Sequence, residues 1–140
     1  MKHLIGIILV THGDLGKEMI NSAQLIVGEI PFINHCSLRK EDKTDRLKER
    51  LEKTIHTMKE LDGIIILSDL FGGTPSNLSM LENRRENVRT IAGVNLTMLL
   101  TCILEREQYS LDDLAEQIVL EGKEGIKFTS RLLKEGKGHE

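Results

Sequence analysis

Two short polar motifs in this sequence hold the residue types of a reactive site. Thr11-His12-Gly13-Asp14 places a histidine beside a glycine and a carboxylate. Ser68-Asp69-Leu70-Phe71-Gly72-Gly73-Thr74-Pro75-Ser76-Asn77 combines an aspartate, paired glycines and several hydroxyls. Neutral imidazole is a competent nucleophile near physiological pH. A carboxylate bonded to one ring N–H fixes the tautomer and presents the other nitrogen. Asp69 is the natural orienting group for His12, and Asp14 competes for the same role. An imidazole held in this way can accept a phosphoryl group as a phosphoimidazole, whose outer oxygens then need donors. Gly72-Gly73 lets backbone N–H groups approach closely, a helix starting at Pro75 adds its positive end, and the Thr74 hydroxyl can donate. There is no Walker sequence, which argues against direct nucleotide binding. Transfer between two imidazoles calls for no cofactor and no metal.

Each motif also has a plainer reading. His12 alone reads as a surface residue at a strand end, and Gly72-Gly73-Thr74-Pro75 as a turn with a helix cap. Asp14 alone reads as a charge at a helix N-terminus. Their meaning depends on whether the fold brings them together. The apolar pattern says that it does. Residues 4–10, 32–37, 63–68 and 88–92 read as strands, the first and third as continuous apolar runs. Residues 15–27 form an amphipathic helix that Gly28 can stop. Further helices are expected over 43–61, over 75–83 with Thr74 as N-cap, over 95–105, and from Ser110, where Ser110-x-x-Asp113 is a variant capping box. Residues 122–140 read either as a continued helix or as a short edge strand, with 134–140 as a solvated tail.

Strands alternating with helices imply a parallel sheet covered on both faces. The expected fold is α/β, a single doubly wound domain over residues 1–140. Its four parallel strands take the order 2-1-3-4, with a fifth C-terminal edge strand as an option. Ligands bind such sheets beyond the carboxyl ends of the strands, where strand order reverses. That point lies between the first and third strands, the two that run into the polar motifs.

The bulk properties agree with this reading. The 140 residues are 39% hydrophobic and 29% charged, an ordinary balance for a globular domain. A net charge of -3 argues against a nucleic-acid partner. Cys36 and Cys102 form no Cys-x-x-Cys pair, and His35-Cys36 with Cys102 fits no metal spacing. His3, His35, His56 and His139 read as structural or solvated. The run 4–10 is too short to span a bilayer and is followed by no small-residue cleavage site, so a cytoplasmic protein is expected.

Residues 6–13, ending Thr-His-Gly, the segment Ser68 to Asn77, and Ile91-Ala92-Gly93-Val94-Asn95-Leu96 together resemble the IIA family of mannose-type (mannose/fructose/sorbose) sugar phosphotransferase systems. The resemblance covers essentially the whole chain. It implies a phosphocarrier whose phosphorylated histidine is His12, whose orienting aspartate is Asp69 and whose phosphate-binding hydroxyl is Thr74. Thr11, Gly72, Gly73 and Ser76 complete the expected phosphoryl-binding set. The implied donor is HPr and the implied acceptor is the IIB component, which serves the membrane IIC/IID permease. A homodimer, with its C-terminal segment exchanged between subunits, is also implied. Where the family often carries a proline after Gly-Val-Asn-Leu, this chain has Thr97. Competing readings are the phosphocarrier of dihydroxyacetone kinase, a non-catalytic module reporting phosphorylation state, and a histidine phosphatase. The last uses Arg-His-Gly, and here Thr11 stands in place of that arginine.

Overall fold

The computed structural model describes residues 3–136. Its elements run β1 Ile5–His12, α1 Leu15–Val27, β2 Ile33–Leu38, α2 Thr44–Thr57, β3 Gly63–Ser68, α3 Thr74–Leu81, a 3-10 turn Glu82–Arg84, β4 Val88–Ala92, α4 Leu96–Glu105, α5 Leu111–Glu124 and α6 Thr129–Lys134. The four strands are all parallel and lie in the order β2-β1-β3-β4, as the alternation of elements requires.

Continuous apolar strands arise because both sheet faces are covered. On one face Ile7, Leu9, Ile65 and Leu67 pack with Ala23 of α1, Leu99 and Cys102 of α4, and Leu114 and Ile118 of α5. On the other, Ile8, Val10, Ile64 and Ile66 pack with Leu47, Leu51 and Ile55 of α2 and Leu78 of α3. Alternate residues of one strand therefore feed two separate cores.

The helix ends show where local chemistry overrides periodicity. α2 stops at Thr57, short of the expected residue 61. Asp62 explains the difference: it exchanges hydrogen bonds with Leu4, its N–H donating to the Leu4 carbonyl and its carboxylate accepting the Leu4 N–H, both at 2.8 Å. That pair draws the chain off the helix axis and into β3. In α3 the N-cap position falls on Gly73, so Thr74 is the first helical residue and not the cap. α4 is capped by Asn95, whose Oδ1 accepts the Met98 N–H at 2.9 Å. Ser110 accepts the Asp113 N–H as its capping box implies. Beyond Glu124 the described residues hold the short helix α6 and no fifth strand. The distal tail 137–140, including His139, lies outside the described residues.

At the sheet end opposite the motifs, buried Arg106 follows α4 and donates to the carbonyls of Ile5 (3.1 Å), Phe32 (3.4 Å) and Pro31 (2.6 Å). It ties the starts of β1 and β2 to that helix. Burial pulls its guanidinium pKa below the ordinary value.

Candidate functional site

β1 has β2 on one side and β3 on the other, so the strand order reverses at β1 and β3. Val10 pairs with Ser68 across them, which leaves His12 and Asp69 just beyond the paired ends. One oxygen of Asp69, Oδ2, receives both the backbone N–H of His12 at 3.0 Å and the ring Nδ1 at 2.9 Å. An ionised carboxylate only accepts, so Nδ1 carries the proton, and in the neutral ring the lone pair is then on Nε2. The histidine side chain is 50% exposed and that of Asp69 only 10%. A buried acceptor thus holds a nucleophile that faces solvent. The other Asp69 oxygen, Oδ1, is buried with no hydrogen-bond partner among the described residues.

The glycine-rich loop closes over the same ring. A Cβ on Gly73 would lie 3.0 Å from His12 Cε1 and 3.5 Å from Nε2. Gly72 turns the loop with φ of +93°, a backbone conformation that side chains disfavour. Asn77 fastens the loop from inside α3: its N–H donates to the Gly73 carbonyl at 2.9 Å and its amide to Gly72 at 3.4 Å. At the start of α3, Thr74 and Ser76 have N–H groups with no acceptor in the helix, and Pro75 has none to offer. The helix terminus therefore presents donors beside Nε2, a setting suited to an anion.

The expected site residues fall into two groups. His12, Asp69, Gly72, Gly73 and Thr74 come together. Thr11 and Ser76, also expected in the phosphoryl-binding set, turn their side chains inward. Thr11 is fully buried, and its hydroxyl is engaged by the Gly16 N–H and the Gly13 carbonyl. Ser76 is buried too, with its hydroxyl against Met80 Sδ and lining a cavity of about 230 Å³ between α3 and β4. Only its backbone N–H is left for the site. Asp14 does not compete for the histidine, because it pairs with Arg39 at 2.8 Å.

Cys36 and Cys102 lie in different cores on opposite sheet faces, both as free thiols. Burial raises the Cys36 pKa and pushes that of Cys102 up to about 12, so neither is a poised thiolate. No metal-ligating cluster forms among the described residues. What the sequence reading passed over is the pair Leu70 and Phe71, 61% and 74% exposed in the loop after Asp69. The available signal was two large apolar side chains inside a glycine-rich polar segment.

Fold and site together define a class: a doubly wound α/β domain with a carboxylate-held histidine at its switch point and a helix N-terminus alongside. Residues 6–119 match the family model described as "PTS system fructose IIA component", and the chain belongs to that family. Its members are phosphotransferase relay components of sugar phosphotransferase systems. The fructose-specific EIIA component of Bacillus subtilis is 28% identical over 137 residues, covering 96% of this chain and 92% of that one. The mannose-specific EIIAB component of Escherichia coli K12 is 28% identical over 125 residues, 88% of this chain. The match spans 39% of that longer relative. Among solved structures, EIIA from Streptococcus agalactiae superposes with a TM-score of 0.84 at 27% identity, covering 91% of this chain and 99% of that one. The mannose/sorbose-specific IIA subunit from Enterococcus faecalis gives 0.81 at 28%, covering 91% and 94%.

Proposed function

We propose that this chain, as a single cytoplasmic IIA unit, accepts a phosphoryl group from HPr on Nε2 of His12 and passes it to the IIB component for sugar uptake. The observation that carries this reading is the double contact of Asp69 Oδ2 with the His12 N–H and Nδ1. In the forward step the Nε2 lone pair attacks phosphorus in line. The new N–P bond forms as the donor imidazole's N–P bond breaks, and the donor leaves with its electron pair. The Nδ1 proton stays in place, and Asp69 offsets the positive charge that develops on the His12 ring. The phosphoryl oxygens meet the Thr74 and Ser76 N–H groups and the Thr74 hydroxyl. Transfer to the acceptor is the same step reversed. Both partners must bring an imidazole to Nε2, and the segments that flank His12 and Asp69 leave Leu15, Leu70 and Phe71 exposed. The test is incubation with phosphoenolpyruvate, enzyme I and HPr. A single acid-labile phosphohistidine is expected, and an unlabelled protein would refute the proposal.

Gly73 sets a steric condition on this step. Gly73→Ala forces the half-exposed ring to give by tenths of an ångström, because the added Cβ would sit at 3.0 Å. The variant is expected to keep its melting temperature and to accept phosphoryl about tenfold more slowly. Stopped-flow or quench-flow transfer beside a thermal melt checks both halves.

The homodimer is likewise a proposal. β4 is an edge strand, and an open apolar surface beside it is lined by Ile91, Ala115, Val119 and Leu120. Ile126, Phe128 and Leu133, in and around α6, are all largely exposed. Apolar groups left uncovered on both parts suit reciprocal packing of two copies. Light scattering is expected to give twice the 15.8 kDa chain mass, and a monomer at micromolar concentration would refute it.

A further inference from the structure

We propose that Thr11 is a positioning residue for the reaction of His12, acting through the hydroxyl that closes the turn between β1 and α1. The proposal rests on the phosphocarrier reading above. Thr11 is fully buried and does not reach the exposed side of the histidine. Its Oγ1 accepts the Gly16 N–H at 2.8 Å and donates to the Gly13 carbonyl at 3.4 Å. One hydroxyl therefore links both ends of the turn that follows His12.

The geometry around this hydroxyl is tight and specific. Gly16 lies in the first turn of α1, where its N–H has no acceptor within the helix. Asp14 occupies the N-cap position yet makes no side-chain cap bond. Thr11 supplies that bond from the preceding strand instead. A Cβ on Gly16 would lie 3.2 Å from Thr11 Oγ1 and 3.3 Å from its Cγ2, so α1 seats directly on this side chain. Gly13 adopts φ of +53°, and its N–H donates to the Leu38 carbonyl at 2.7 Å. His12 is thus fastened before, after and beneath.

The fastening matters because Asp69 grips His12 at two points, backbone and ring, through one oxygen. The ring stays in register with Asp69 only while the main chain does. Removing the hydroxyl leaves the Gly16 N–H and the Gly13 carbonyl without their partner, and the turn relaxes. The imidazole then samples orientations in which Nδ1 is no longer held, and the reactive tautomer becomes one of two.

The experiment compares wild type with Thr11→Val, Thr11→Ala and Thr11→Ser. Two readouts are used: phosphoryl transfer from phospho-HPr, and the ¹⁵N signals of the His12 ring in unphosphorylated protein. Valine and alanine are expected to lower the maximal transfer rate about tenfold with KM for phospho-HPr unchanged, and serine to restore it. The ring signals should report Nδ1–H alone in wild type and serine, and mixed tautomers in valine and alanine. A valine variant with wild-type rate and tautomer overturns the proposal, even if it melts lower. So does a serine variant as slow as valine. If wild type itself takes no label, the phosphocarrier reading fails, while the tautomer comparison still judges Thr11 independently.

Discussion

His12→Ala is expected to take up no phosphoryl group from phospho-HPr while keeping its fold. The side chain is half exposed and stands at the end of β1, past its pairing with β3, so its loss opens no core cavity. The backbone N–H of residue 12 survives the substitution and continues to satisfy Asp69 Oδ2. The buried carboxylate is therefore not left bare, and the stability cost should stay within about 1 kcal/mol. Circular dichroism and a urea titration check that half of the expectation. Radiolabelled phosphoenolpyruvate with enzyme I and HPr checks the other. Label retained on the variant would mean that another residue is the acceptor.

Asp69→Asn should separate chemistry from docking. The amide oxygen can still accept the backbone N–H of His12, so the loop keeps its anchor. Negative charge is lost, however, so a neutral amide oxygen holds the Nδ1 proton less firmly, and nothing offsets the positive charge that develops on the ring. A fall of about 10²-fold in the maximal transfer rate is expected, with the KM for phospho-HPr little changed. Rapid-quench transfer over a range of phospho-HPr concentrations distinguishes the two parameters. A raised KM at unchanged maximal rate would make Asp69 part of the docking surface and not an orienting group.

The features legible in the sequence were those fixed by burial on two sides. Residues 63–68 emerge as a strand with the expected bounds, because a continuous β-branched run has one comfortable place in such a sheet, and the less buried 88–92 keeps its expected bounds too. The meeting of His12 with Asp69 followed from strand order alone, since the two motifs leave neighbouring strands. Side-chain direction was not legible. Thr11 and Ser76 stand next to reactive positions in the sequence, yet their hydroxyls turn inward, one under α1 and one towards β4. Asp14 stood as a competitor to Asp69 for the histidine until Arg39, the residue that follows β2, paired with it. Arg106 gave no signal, since three carbonyls from two distant segments converge on it only after folding. The C-terminal segment was ambiguous for a physical reason: α6 has no buried residue, so burial imposes no clear periodicity on its apolar side chains.

The most direct test is ¹⁵N and ³¹P NMR of the phosphorylated protein labelled in its histidine rings. A single phosphoryl group bonded to Nε2 of His12, with Nδ1 still protonated, is the predicted result. Phosphorus on Nδ1, or on any other residue, would contradict the grip that Asp69 is held to exert.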